Sequence, residues 1–463
     1  MSGEALPLSG RPGEQRPPLQ HTVDRLVEMA GGRGVQAEAY GERSLSRRIK
    51  VFGGEVEHLT VARRTGVGLR VFRDGSSGYA YSSDVSERAL STVVERALAH
   101  AGVTQPDRYA GLPSPPAAIP DLVIYHPGLA SLSEERKIAL AVEAERAALD
   151  HDPRVRLVEN TLYVDDDAEV AIASSLGVRG SYRVGHCYLF LYVLAEQDGQ
   201  TETGIAYEVA RDPALLDPGR CGREAAGRAR RLLGARPCAS FRGTVVLDPY
   251  VAASVLSVLG VALTADAVQK GRSLFAALEG HAVATPLVQL IDDGAHPDGL
   301  ASAPFDGEGV ASQRTPLIAD GVLQGFLYDT YTARKGGTRS TGNGVRGSYQ
   351  SPPVVQPTNL VLQGPATPVT DIVAAIEHGV MVTDAVGVHS GANPVSGEFS
   401  VGISGVLIES GRLTRPLREV TLAGDIPSML RGVVALGDDS RWVPNGSVLT
   451  PSLTLEGMAI AGS

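Results

Sequence analysis

The sequence predicts an α+β fold, with N-terminal α/β domains on mixed or antiparallel sheet and a C-terminal β-rich, barrel-like domain. The first indication is that helical and strand patterns occur in separate runs, not in alternating β-α-β units. The second is the C-terminal half, where short β segments alternate with glycine-containing turns. The third is size, because 463 residues, 43% of them hydrophobic, suffice for roughly two to three domains with their own cores.

Charge and composition argue against several classes of protein. The net charge of −10 is unlike that of a nucleic-acid-binding protein, which usually presents a basic face. The three cysteines are too few for a disulfide framework, and the longest apolar run, residues 251–265, is too short to span a membrane. Residues 1–20 are polar and lack the apolar core of a signal peptide. We therefore expect a cytoplasmic protein with a disordered leader over residues 1–20, no membrane association and no nucleic-acid partner.

Residues 21–111 form the first predicted domain. Apolar residues at helical spacing predict a helix over residues 21–31. Short β segments follow, and the Gly53-Gly54 pair between two of them is typical of a hairpin turn. Asp84 is the predicted N-cap of a second helix, which runs to about residue 101. The predicted strands cover residues 35–40, 49–52, 56–61 and 67–72.

A proline-rich linker over residues 112–127 precedes the predicted central domain, residues 128–236. Ser133 is the predicted N-cap of a helix that ends at about residue 149, since two glutamates follow it in the first turn. The run Asp165-Asp166-Asp167 is interpreted as a solvated turn. The predicted strands cover residues 154–164, 170–174 and 182–194, and a further helix covers residues 221–233.

Residues 237–463 form the predicted β-rich, barrel-like C-terminal domain. Apolar periodicity predicts three helices in it, and His378 is expected to cap the C-terminus of the second one. The predicted helices cover residues 249–266, 371–378 and 427–436. The predicted strands cover residues 243–247, 286–291, 325–328, 360–362, 399–408 and 449–455.

No self-sufficient catalytic set emerges from the residue types alone. The sequence lacks an HExxH zinc motif and a GxSxG nucleophile motif. His281 and His296 lie in turn-rich segments near acidic residues, and His389 lies among glycines, so a metal site at these histidines stays an alternative. Residues 342–347 match GxGxxG, but the prolines that follow prevent the helix that a dinucleotide site requires. The segment is interpreted as a flexible glycine loop, suited to close approach of a ligand or to a lid.

Several longer motifs occur in order along the chain. In the N-terminal part they are AEAY (37–40), TGVGLRV (65–71) and GYA (78–80). In the C-terminal part they are SAPFDGEGV (302–310), LYDTYTARK (327–335), STGN (340–343), GEFS (397–400), GVLIE (405–409) and TLAGD (421–425). Over roughly residues 33–463 the sequence closely resembles the TldD/PmbA family, and specifically its TldE (PmbA) branch.

The resemblance implies a cytoplasmic peptidase of two subunits. In such a complex the TldD subunit binds zinc through an HExxxH helix and a later cysteine, and an extended peptide is bound as an added strand. The zinc-binding histidines would fall on Leu256 and Val261 here, and the general base on Ser257. The last cysteine in this sequence is Cys238. We therefore expect no zinc and no catalysis in this chain alone, with zinc in a TldD-like partner of a heterodimer, or a homodimer instead.

The polar residues around the glycine loop are the candidates for contact with the substrate backbone or with the partner. The alternative is that they hold the C-terminal fold together through hydrogen bonds. Other functions stay open: a self-associating peptide-binding protein without a peptidase partner, a biosynthetic peptide-processing protein with an unusual metal site, and a gyrase-modulating role. The acidic charge balance argues against direct contact with DNA. The candidate residues are Tyr328, Asp329, Arg334, Asn343 and Arg346.

Overall fold

The computed structural model of the chain describes residues 18–388, 393, 395–444 and 447–462. Most of the predicted leader lies outside this part of the chain. The first helix begins at Leu19, two residues before the predicted start, because Leu19 joins Val23 and Leu26 on its buried face. The elements of the first part are α1 (Leu19–Gly31), β1 (Gln36–Phe52), β2 (Glu55–Arg73), β3 (Ser76–Ser82) and α2 (Glu87–Ala101).

Where four short strands were predicted in this part, the structure has two long ones, β1 and β2. Their polar middle residues, which suggested a break, remain paired with each other along the hairpin. The N-cap of α2 is Ser86, two residues later than predicted. Ser86 Oγ accepts the Ala89 N–H, and the Asp84 carboxylate accepts the Ser86 N–H instead of capping the helix itself.

The central part contains α3 (Gly128–Ser131), α4 (Glu134–Leu149), β4 (Val155–Ser174), β5 (Arg179–Gln197), β6 (Gln200–Ala210) and α5 (Pro218–Leu232). The Ser133 cap is confirmed, since its Oγ accepts the Arg136 N–H at 3.2 Å. Helix α5 begins three residues before the predicted start, because Asp217 caps it and Pro218 fits its first position. The two strands predicted before and after residue 165 are one continuous strand, β4.

The interpretation of Asp165-Asp166-Asp167 as a solvated turn was wrong. These residues lie in the middle of β4, and Asp165 is only 1% exposed. Its carboxylate contacts Arg47 Nη1 at 2.9 Å and Lys137 Nζ at 2.7 Å. Asp167 pairs with Arg183 in the same way. The acidic run is therefore part of a strand, in which Asp165 and Asp167 share one face and both have basic partners.

One antiparallel sheet, with the strand order β3-β2-β1-β4-β5-β6, joins the first and central parts. Strand β1 lies in its middle, between β2 and β4. Its odd-numbered residues, such as Ala39 and Ile49, pack under helices α1, α2, α4 and α5. Its even-numbered residues, among them Glu38 and Tyr40, face the opposite side of the curled sheet, where the C-terminal part of the chain packs.

The C-terminal part begins with β7 (Phe241–Leu247), α6 (Pro249–Ala262), α7 (Ala265–Gln269), β8 (Gln289–Asp293), β9 (Arg314–Ala319), β10 (Val322–Leu323), α8 (Thr330–Gly336), β11 (Gly344–Val345), β12 (Val354–Val355) and β13 (Leu360–Gln363). It continues with β14 (Ala366–Thr367), α9 (Val369–Ala374), β15 (His378–Val386), β16 (Glu398–Glu409), β17 (Arg412–Asp425), α10 (Ile426–Arg431), β18 (Val433–Gly437), β19 (Arg441–Val443), β20 (Val448–Thr450) and β21 (Leu453–Ala461).

The predicted α+β class and the barrel-like C-terminal domain are confirmed. Strands β7, β15, β16, β17 and β21 close into a five-stranded barrel. A second sheet has the order β10-β9-β8-β13-β20-β19, and helix α6 contributes to the core cluster that includes residues of both sheets. In the described part of the chain, no helix combines the length and the apolarity that crossing a membrane would need.

Several predicted boundaries in this part differ from the structure. His378 begins β15 and packs its ring on Phe241, so it does not cap a helix. Residues 325–328 form no strand of their own, and Leu327 makes only a single bridge to Thr264. The three predicted helices are also shorter, because strands or turns take over their last residues, as at β18 after α10.

Candidate functional site

The predicted glycine loop lies against the sheet of the first two parts, and Arg346 anchors it there. The Arg346 side chain is 1% exposed and forms an ion pair with Glu38 on β1. Its Nε donates to the Gly307 carbonyl oxygen at 2.6 Å, and its Nη1 donates to the Ser351 carbonyl oxygen at 2.9 Å. The guanidinium also stacks 4.9 Å from the centroid of the Tyr40 ring. The loop is therefore held by a buried cation and is not an open lid in this structure.

A second arginine continues this network of charges. Arg70 Nη2 on β2 contacts Glu38 Oε2 at 2.8 Å and Glu308 Oε1 at 3.0 Å. Glu308 Oε2 in turn accepts the backbone N–H of Thr330 at 2.7 Å, at the start of α8. Burial disfavours the charged form of Arg70, but the two glutamates outweigh this and raise its pKa. The sheet, the segment around residue 308 and α8 are thus joined through nearly buried charged groups.

Asp306 lies next to this network, in surroundings that favour the protonated form of its carboxyl. Its Oδ1 accepts the N–H groups of Glu308 and Val310, and its Oδ2 accepts the Gly344 N–H at 2.8 Å. Burial, reinforced by the Glu308 charge, raises the pKa of Asp306 to about 8. Glu38 and Glu308 already balance Arg70 and Arg346, so a further buried negative charge has no cation to balance it.

The raised pKa has a definite effect on stability. Between the ordinary aspartate pKa of about 4 and the folded-state value near 8, the folded protein binds a proton that the unfolded chain releases. The contribution of Asp306 to the free energy of unfolding is therefore fully present below about pH 4. It is lost as the pH rises through about 8.

Asn343 holds the start of the glycine loop against β8. It is 1% exposed, and its Nδ2 donates to Asp292 Oδ2 at 2.7 Å and to the Gln356 carbonyl oxygen at 3.0 Å. Its Oδ1 accepts the Thr341 hydroxyl at 2.6 Å. Burial raises the pKa of Asp292 to about 6, although the bonds from Asn343 and Thr358 favour its charged form. The amide of Asn343 therefore has partners for both its donor and its acceptor sides.

The other three predicted residues lie at α8. Asp329 is its N-cap, with Oδ1 accepting the Thr332 N–H at 2.8 Å, and burial together with Glu308 raises the pKa of this carboxyl. Arg334 Nη2 donates to the Leu112 carbonyl oxygen at 2.6 Å and so fixes the predicted linker. Tyr328 is half-buried, and its carbonyl oxygen accepts the Ser340 hydroxyl at 3.1 Å.

The structure thus brings the five predicted residues into one region and gives four of their side chains partners within the chain. This arrangement corresponds to the alternative in which they hold the fold together, and contact with a peptide or partner stays a prediction. Sequence reasoning missed Glu38, Arg70 and Glu308 as members of the network. All three stand inside motifs that carry the family resemblance: Glu38 in AEAY, Arg70 in TGVGLRV and Glu308 in SAPFDGEGV. For the two glutamates, an acidic residue between small ones was the available signal.

The positions that correspond to the zinc helix lie on α6. Leu256 is 1% exposed and belongs to the main core cluster. Ser257 Oγ donates to the Ala253 carbonyl oxygen at 2.9 Å, and Val261 is 53% exposed. Zinc in proteins takes nitrogen, sulfur or carboxylate oxygen ligands, and neither aliphatic side chain supplies one. These residues do not fit a zinc ion.

The alternative metal site at the loop histidines is not assembled in the described residues. His281 is exposed, and its ring Nδ1 lies 3.0 Å from the Glu279 carbonyl oxygen, whereas His296 packs edge-on against Trp442. Throughout residues 18–388 and the later described ranges, no three His, Cys, Asp or Glu side chains group as metal ligands would. His389 lies outside the described residues.

Comparison with known proteins gives a consistent assignment. Sequence profiles of the PmbA/TldA metallopeptidase family match in three places: domain 1 at residues 37–101, the central domain at 127–233 and the C-terminal domain at 240–462. The metalloprotease PmbA of Escherichia coli is 29% identical over 453 residues, covering 96% of this chain and 97% of that protein. A metalloprotease TldD homolog of Haemophilus influenzae is 29% identical over 434 residues, covering 86% and 87%.

Solved structures show the same fold. A candidate modulator of a DNA gyrase from Thermotoga maritima superposes with a TM-score of 0.89 at 27% identity, covering 96% of this chain and 100% of that one. TldE from Thermococcus kodakarensis has the same TM-score at 22% identity, covering 95% and 100%. With family profiles matched in all three parts and relatives aligned over nearly the full length, the chain belongs to the PmbA/TldD metallopeptidase family.

Proposed function

We propose that this chain is a TldE-like, non-catalytic subunit of a zinc peptidase that acts on unfolded or precursor peptides. The observation that carries the proposal is the chemistry of α6, where Leu256 and Val261 stand at the two positions of the zinc-binding histidines. The zinc and the general base would then belong to a TldD-like partner that carries the HExxxH helix.

The packing of α6 supports a structural role for this helix. A histidine in place of Leu256 would exchange an aliphatic side chain of the core for a polar one. The Ser257 hydroxyl is satisfied by its own helix and lacks the carboxylate of a general base. Helix α6 thus stabilises the C-terminal domain, and the subunit contributes a wall of the peptide channel.

The outer edge of β2 supports the binding of an extended peptide to this subunit. Strand β3 pairs with residues 67–73 of β2, and within the described ranges no strand pairs with the outer side of residues 55–62. Val56, Leu59 and Val61 on this segment are exposed. An unpaired edge with exposed apolar side chains is suited to strand addition, in which the peptide backbone extends the sheet.

The test combines metal analysis with activity of separate and mixed subunits. We expect near-zero zinc in this chain when it is purified alone, and no hydrolysis of an unfolded peptide. Peptidase activity should appear when a TldD-like chain with an HExxxH motif is added, and it should be abolished when the glutamate of that motif is changed to glutamine. About one tightly bound zinc per chain, with chelator-sensitive activity of the lone protein, would refute the proposal.

The role of β2 can be tested in the same preparation by amide hydrogen exchange. Addition of an uncleaved peptide should slow the exchange of amides in residues 55–62, while the amides of β4, already paired on both sides, should not change. Unchanged exchange in β2 at saturating peptide would place the peptide elsewhere.

A further inference from the structure

A large basic cleft separates α5 from the side of the C-terminal barrel. Its volume is about 1140 Å³, and its walls come from α5, the start of α6, α9, the turn between β16 and β17, and the turn between β18 and β19. Seven arginines line it, against three carboxylates. The arginines are Arg220, Arg223, Arg228, Arg230, Arg231, Arg412 and Arg441. The cleft is thus locally positive on a chain whose net charge is −10.

Four of these arginines lie within ion-pair distance of carboxylates of the chain, and the weakest pair is that of Arg230 Nε with Asp152 Oδ2 at 3.8 Å. Arg228 Nη1 contacts Asp248 Oδ2 at 2.6 Å, and its Nη2 donates to the Thr383 carbonyl oxygen. Arg441 forms a bidentate ion pair with Glu224, and Arg220 forms a bidentate ion pair with Glu208. Arg228 and Arg441 also both stack on the ring of Tyr250. These residues build the cleft and are already engaged.

Three other arginines have no such partner. Arg223 and Arg231 lie eight residues apart on α5, which places them on one face of the helix. Arg412 lies at the turn between β16 and β17, among the residues that line the same cleft. All three are exposed, and no carboxylate of the described residues forms an ion pair with them. Planar guanidinium groups of this kind bind carboxylates through two parallel hydrogen bonds.

The remaining lining indicates what kind of anion fits. Val369, Val373, Met381 and Leu413 give the cleft apolar surface beside the free arginines. The volume exceeds that of an ordinary small-molecule pocket, about 300–1000 Å³. Among the described residues that line the cleft there is no Phe, Tyr or Trp, and the Tyr250 ring beneath Arg228 and Arg441 is buried, so it offers no platform for base stacking. A polymer segment with both carboxylates and apolar side chains fits better than a nucleic acid.

We propose that this cleft binds an acidic segment of a peptide, whose carboxylates pair with Arg223, Arg231 and Arg412 while its apolar side chains contact Val373 and Leu413. An acidic peptide is a more specific ligand than the proposed function names. Only the choice of a peptide as the ligand rests on that function. Binding is measured on this chain alone, so it does not depend on zinc, on a partner or on catalysis.

The experiment is a fluorescence anisotropy titration with a labelled ten-residue peptide of alternating glutamate and leucine. We expect saturable binding that weakens as salt is raised, and about two- to thirtyfold weaker binding by R223Q/R231Q, since each lost exposed ion pair contributes about 0.2–1 kcal/mol. R412Q should weaken binding to a smaller degree. The matched control is R88Q/R96Q, which removes two exposed arginines with the same eight-residue spacing from α2, remote in sequence from the cleft.

Three outcomes would overturn the proposal. Equal affinity for the same peptide with glutamine in place of glutamate would show that charge plays no part. Unchanged affinity of R223Q/R231Q, with folding verified by circular dichroism, would place the site elsewhere. Stronger binding of a ten-nucleotide single-stranded DNA than of the acidic peptide would assign the cleft to nucleic acid. A zinc-bearing, self-sufficient peptidase would refute the proposed function and leave this binding result unaffected.

Discussion

Replacement of Arg346 by alanine tests whether the glycine loop is held by its buried cation. The variant leaves Glu38 with only Arg70 as a cationic partner, and Arg70 is shared with Glu308. Removal of one member of a buried ion pair costs about 3–5 kcal/mol. Because Arg70 remains beside Glu38, we expect the lower end, a loss of about 3 kcal/mol in the free energy that holds the loop closed.

The assay is limited proteolysis of the native protein, with cleavage sought in residues 337–353. If the loop opens and closes rapidly compared with cleavage, the cleavage rate follows the population of the open loop. A loss of about 3 kcal/mol in the closing free energy then makes cleavage about 100-fold faster, since each 1.4 kcal/mol is a factor of ten. Urea unfolding followed by the fluorescence of Trp442, the single tryptophan, measures the effect on the whole C-terminal part.

Two variants serve as comparison. R88A removes an exposed arginine from α2 and should change stability by less than about 0.5 kcal/mol. E38Q/R346M removes the ion pair as a whole and should recover part of the loss, because no unpaired carboxylate is left. The reasoning is refuted if R346A is cleaved at the wild-type rate and its free energy of unfolding lies within about 1 kcal/mol of the wild type.

Three further predictions follow from other contacts. An alanine at Gly66 would place its Cβ 2.2 Å from the Tyr349 ring, so we expect G66A to destabilise the protein by about 1–3 kcal/mol. Urea unfolding measures this loss, and an unchanged midpoint would contradict the close packing. The free energy of unfolding should fall between about pH 4 and pH 8, because the unfolded chain releases the Asp306 proton there while the folded protein keeps it, and D306N should flatten that fall; equal slopes would assign it to other groups. K137M leaves Asp165 with Arg47 as its cationic partner, so we expect it to lower the free energy of unfolding by about 3 kcal/mol. Urea unfolding measures the loss, and a value below about 1 kcal/mol would show that Arg47 alone stabilises the Asp165 carboxylate.

The sequence allowed the fold class and several helices to be predicted, because these depend on local signals. Ser133 with its following glutamates marked the start of α4 correctly. Strand lengths could not be predicted in the same way. The polar middle of β1 reads as a break between strands, yet its residues pair with β2 on one side and β4 on the other. Pairing partners far away in sequence sustain a strand that local composition would end.

The buried charges were missed for a similar reason. Asp165 reads as a solvated residue until Arg47 from β1 and Lys137 from α4 are known to surround it. Glu38 and Glu308 belong to conspicuous motifs, but their common partner Arg70 is distant from Glu308 in the sequence. A single sequence shows which residues are charged and does not show which charges meet.

The position of β1 between β2 and β4 has a consequence for cutting the chain. Residues 112–127 separate two segments of the chain that share one sheet. Strand β1 belongs to the first segment and β4 to the second, and the two strands pair with each other. A fragment that ends before residue 112 would expose the full backbone edge of β1 to solvent. Co-expressed fragments divided in this segment are therefore natural candidates for a split-protein reporter, in which reassembly of one sheet restores the whole fold.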